Sequence, residues 1–78
     1  MPVSAYVLIQ TEVGKAADVA ATLGALPGVT HSEDITGPYD VIVRAEAADM
    51  DQLTTLVTSR MHPVRGLTRT ITCPVVHL

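Results

Sequence analysis

Few side chains in this sequence are placed to do chemistry. There are three histidines, His31, His62 and His77, and one cysteine, Cys73. His31 and Glu33 share one face of an extended segment, and Cys73 stands four residues before His77. Neither pattern is a zinc spacing such as CxxC with HxxxH, and no metal is expected. Cys73 lies in an apolar run ahead of Pro74 with nothing basic beside it, the setting of a structural thiol rather than a reactive thiolate. The acidic residues have plainer uses than acid–base catalysis. Asp49 and Asp51 sit at a helix start, and Glu33 and Asp34 lie on an edge strand, where charge guards against aggregation. The phosphate-cradling patterns GxGxxG and GxxxxGK(S/T) are absent, as is the nucleophile elbow GxSxG. No catalytic set and no cofactor are expected.

What remains suits a small zwitterion. The turn from Thr36 to Asp40 offers backbone N–H groups near Gly37 and a carboxylate at Asp40, while Thr70 and Thr72 offer hydroxyls that both donate and accept. A free amino acid needs donors for its carboxylate and an acceptor for its ammonium. The same residues also read as an ordinary turn and a threonine-rich strand, since threonine is a good strand former.

These groups must be positioned by a small scaffold. The chain has 78 residues, 47% hydrophobic and 17% charged, enough for one domain spanning residues 1–78 and too apolar for a disordered chain. There is no Phe or Trp, and Tyr6 and Tyr39 are the aromatics. A domain this size buries only ~60–65% of its unfolded surface and usually needs a staple or a partner. One cysteine cannot make an internal disulfide, so self-association is the expectation. The net charge is −3 and the five basic residues form no cluster, which argues against direct nucleic-acid binding. No apolar stretch approaches the ~20 residues that cross a bilayer, and no membrane association is expected. With no signal-peptide layout at the N-terminus, the cytoplasm is the expected compartment.

Val3 to Gln10 alternates as a strand that is apolar on both faces, and therefore central. Ala16, Val19, Ala20 and Leu23 form a helical stripe within Lys15 to Ala25, stopped by Leu26-Pro27-Gly28. Val29 to Ile35 reads as an edge strand and Asp40 to Ala45 as the next strand. Asp49 and Gln52 make a capping box ahead of a second stripe, Met50, Leu53, Leu56, Val57 and Met61. Leu67 to Val76 is the last strand, placed at an edge by Pro74. A faint repeat at a 36-residue offset pairs Val7 with Val43 and Pro27 with Pro63. The order βαββαβ gives an α+β ferredoxin-like plait, a four-stranded antiparallel sheet with two helices on one face. Val7, Ile9, Val41 and Val43 are expected under the helices. Tyr6, Leu8, Ile42, Arg44, Thr68, Thr70 and Thr72 are expected on the open face, where an apolar patch reads as a subunit interface.

The run AYVLIQTEVGKAADVAATL, the segment ITGPYDVIVRAEAADMDQL and the closing GLTRTIT resemble the effector-binding (RAM) domain of the Lrp/AsnC transcription regulators. The resemblance covers nearly the whole chain and implies the same plait, dimers formed through the sheets, ring-like higher assemblies, and amino acids or related metabolites bound between subunits. Carried over position by position, it places Gly37, Tyr39, Asp40, Thr70 and Thr72 at the ligand and Tyr6, Leu8, Ile42, Arg44 and Thr68 in the dimer interface. Full-length regulators carry a helix-turn-helix; this sequence opens at the first strand and resembles the stand-alone form. Action on transcription would then be indirect, through full-length Lrp/AsnC paralogues as partners. Pro38 and Cys73-Pro74 depart from the family pattern. The alternatives are a small dimeric plait enzyme of the cofactor-free monooxygenase or isomerase type, which would want more aromatics and a core-facing histidine, and a ligand-free structural oligomer.

Overall fold

The computed structural model describes residues 2–76, so His77 lies outside the described residues. Strand β1 (Val3–Thr11) leads to helix α1 (Ala16–Gly24), strands β2 (Val29–Asp34) and β3 (Val41–Ala47), helix α2 (Met50–Thr55) and strand β4 (Leu67–Pro74). All pairings are antiparallel, in the spatial order β2-β3-β1-β4. This is the ferredoxin-like plait, with β1 central and β2 and β4 at the edges.

The alternation in β1 sets the core. Ala5, Val7 and Ile9 exclude water completely and sit opposite Ala45, Val43 and Val41, which are equally buried. Val19 and Leu23 of α1 cover this face from one side, and Leu53 of α2 from the other. Both helices therefore pack on the same face. α1 begins without a side-chain cap at Lys15. α2 is capped as the sequence suggests, with the Asp49 carboxylate accepting the Gln52 N–H at 2.8 Å.

Gly28 closes the α1–β2 corner at φ +94°, and its carbonyl accepts the Glu46 N–H at 2.7 Å. A Cβ there would stand 3.1 Å from the Glu46 carbonyl oxygen, so both the backbone conformation and the close approach require glycine.

The structure departs from the sequence reading in two places. The second helical stripe does not continue as α-helix to Met61. From Leu56 to Met61 the chain is π-helical, and the His62 N–H reaches back to the Val57 carbonyl at 3.0 Å. Just before and within it, the Thr55 and Thr58 hydroxyls donate to the carbonyls of Asp51 and Thr54, side-chain bonds that compete with the regular ladder. The wider turn still keeps Val57 and Met61 in the core.

The second departure concerns the threonines. β4 pairs with β1 so that Thr72 faces Val7 and Thr70 faces Ile9. Directly opposed residues of an antiparallel pair share a face. Thr70 and Thr72 thus lie on the helix side of the sheet, not on the open face. Ile71 and Cys73, opposite Leu8 and Tyr6, take the open face instead. Thr68 follows the parity of Thr70 and is exposed, with its hydroxyl donating to the Gln10 carbonyl at 3.1 Å. The register shifts between Gln10 and Thr11, and beyond the shift Leu67 packs against the core.

Leu53 is 1% exposed between α2 and the sheet. Leu53→Ala should cost about 2–5 kcal/mol, read as a lower urea midpoint with little change in slope. Gly28→Ala should lose about 1–3 kcal/mol in the same assay, although it adds apolar surface.

Candidate functional site

The turn after β2 is held by hydrogen bonds to the end of β1. Gly37 takes φ +141° with open space where a Cβ would be. The Gln10 side-chain amide donates to the Pro38 carbonyl at 3.1 Å, and the Asp40 N–H donates to the Ile9 carbonyl at 2.8 Å. One Asp40 carboxylate oxygen accepts the Thr11 N–H at 2.8 Å, with the Thr11 hydroxyl at 3.4 Å. Asp40 therefore binds the chain to itself before it binds anything else. Gly37 and Pro38 remain exposed, and Tyr39 is half-buried.

Thr70 and Thr72 open onto a different feature. A groove of about 350 Å³ runs between β4 and the helical layer above it. Its apolar wall is Met50, Leu53, Val57 and Pro74, and its polar groups come from Thr54, Thr58, His62, Thr70 and Thr72. That volume falls at the lower end of small-molecule sites, which run ~300–1,000 Å³. His62 Nε2 and Thr70 Oγ1 are 2.8 Å apart, so the imidazole and the hydroxyl share a hydrogen bond at the groove's end.

The expected ligand residues thus fall into two sets. Val41, Ile9 and Thr70 form one row across three strands, with the turn beyond the β3 side of β1 and the threonines beyond its β4 side. About 10 Å of sheet separates β3 from β4. Gly37, Tyr39 and Asp40 do not line the groove. Sequence reasoning missed His62, which reads as an ordinary helix-terminal histidine. Its position just before Pro63, with a strand starting at Leu67, was the available signal, but only the pairing of β4 shows which strand residue it meets.

The open face is a separate surface. Leu8 lies between Ile42 and Ile71, and Tyr6 between Arg44 and Cys73. Tyr6 is 42% exposed. Arg44 donates to the Tyr6 hydroxyl at 2.9 Å and to the Ser4 hydroxyl at 3.3 Å, and its guanidinium carbon lies 5.2 Å from the Tyr6 ring centre. Among the described residues, no group of three His, Cys, Asp or Glu side chains could hold a metal ion, and no helix is long and apolar enough to cross a membrane.

Comparison with known proteins agrees with this architecture. Over 95% of the chain, the structure superimposes on FFRP-DM1 with a TM-score of 0.89 and 28% identity, covering 99% of that protein. The same fold occurs in a Neisseria meningitidis transcriptional regulator solved as an L-Met complex, at 19% identity and a TM-score of 0.83, with 96% of this chain matching 50% of that one. A homocitrate synthase of Sulfurisphaera tokodaii is 33% identical over 58 residues, which are 74% of this chain but only 12% of the enzyme. The family model of the Lrp/AsnC ligand binding domain matches residues 4–77. With the plait and the matched segment in agreement, the chain belongs to the Lrp/AsnC ligand-binding domain family.

Proposed function

We propose that this domain is a non-catalytic, self-associating sensor that binds an amino acid or a related small metabolite between copies of itself. The observation that carries this reading is the division of the candidate ligand residues. The donor-rich turn and the threonine groove lie on opposite sides of β1, while an apolar sheet face stands uncovered. A second copy can supply what either half lacks. Tyr6, Leu8, Ile42 and Arg44 form the interface, joined by Ile71, while Thr68, on the parity of Thr70, falls outside it. Gly37, Tyr39 and Asp40 of one copy and Thr70 and Thr72 of another serve the ligand. The L-Met complex of the Neisseria regulator supports an amino acid as the kind of effector. The likeness to a short part of a homocitrate synthase supports a module that can be joined to more than one output. In this reading the chain works in the cytoplasm and reaches transcription through DNA-binding Lrp/AsnC paralogues.

Light scattering after size exclusion, with and without a mixture of the twenty amino acids, tests the reading. A dimer or larger assembly whose mass or melting temperature rises with the mixture is expected. A ligand at about 100 times its Kd adds about 2.7 kcal/mol of stability. A monomer indifferent to every addition overturns it. Leu8→Lys places a charge in the centre of the open face and should lower the assembled mass while leaving the far-UV circular dichroism unchanged. Asp40→Asn should weaken its bond to the Thr11 N–H and cost about 1 kcal/mol of stability without ligand. If Asp40 also serves the effector, the variant's ligand-induced stabilisation falls as well, and denaturation with and without the mixture separates the two effects.

A further inference from the structure

The groove between β4 and the helical layer has a one-sided chemistry. Its apolar wall fits a short aliphatic chain. His62 is the titratable group among the described residues that line it, and no carboxylate is among them. Asp49, next in sequence to the lining residue Met50, spends one carboxylate oxygen on the helix cap. The hydroxyls are not equivalent either. Thr58 donates to the Thr54 carbonyl, and Thr70 is bonded to His62, whereas Thr72 makes no hydrogen bond to another described side chain. The groove therefore presents donors, and an imidazole that can become cationic, without an anion.

We propose that this groove binds a short aliphatic monocarboxylate with no ammonium group, the class that includes the 2-oxo acids, and that His62 determines that preference. The inference rests on the reading of the domain as a small-molecule sensor and narrows its ligand. The carboxylate lies against His62 and the Thr72 hydroxyl, and the aliphatic body lies along Leu53 and Val57. An ammonium at the same depth would lose water without gaining an anionic partner from the groove's own lining. Thr70 orients the ring by holding one nitrogen, which leaves the other for the ligand. Arg69, whose register partner is Gln10 on the open face, borders an adjoining hollow together with His62.

The test compares two compounds with one carbon skeleton, 4-methyl-2-oxopentanoate and leucine, titrated into the whole chain and followed by NMR. The His62 ring signals are assigned by their loss in His62→Gln. The oxo acid should bind at least about tenfold more tightly than leucine and shift the signals of His62, Leu53, Val57 and Thr72. His62→Gln, at an exposed position, and Thr72→Val, close to isosteric, should each weaken the oxo acid by about tenfold. Leucine binding in the groove as tightly as the oxo acid overturns the proposal. So does leucine perturbing only Gly37 to Asp40, a result that would leave the sensor reading standing. No response to either compound or to any other amino acid overturns both.

Discussion

Ala5, Val7 and Ile9 of β1 admit no water, and the assignment of nearly every other surface follows from that exclusion. Because β1 is central, its parity passes to both neighbours. Toward β3 it places Val41, Val43 and Ala45 under the helices, and toward β4 it turns Thr70 and Thr72 to the same side. The complementary parity leaves Tyr6, Leu8, Ile42 and Ile71 facing away from the helices. The groove and the open face are thus two consequences of one register. A slip of one residue in β4 would exchange them, placing Ile71 in the groove and threonines on the sheet.

The legible part of the fold was the part governed by local periodicity. Alternation in β1, the stripes of α1 and α2, the Asp49 cap, and Pro74 at an edge each depend on neighbours within a few residues. The parity of one strand against another does not. It depends on the loop through Pro63 and Gly66 and on the register shift at Gln10, neither of which is encoded in the alternation of β4 itself. That is why the alternation of β4 by itself points Thr70 and Thr72 to the wrong face. The π-helical segment escaped for a related reason: a widened turn and a regular one bury nearly the same stripe.

The residue types of the candidate site are legible in the sequence: Gly37, Pro38 and Asp40 are unusual residues in an apolar chain, and the threonines recur at every second position. What could not be read is that one chain holds these groups on opposite sides of its central strand. The groove is complete enough to have a chemical preference, but the turn faces a different direction and already has work of its own. In the proposed reading, assembly and recognition are linked, because a second copy is what brings the turn to the groove.

The bond from Asp40 to the Thr11 N–H bears on how relatives of this domain should be compared. The carboxylate secures the point where β1 leaves the sheet, so selection for folding alone would retain an aspartate there. Its persistence across related chains would then carry little information about which compound each one recognises. Positions 62 and 72 have lighter structural duties, and on the proposed role of the groove divergence in specificity would leave its record there.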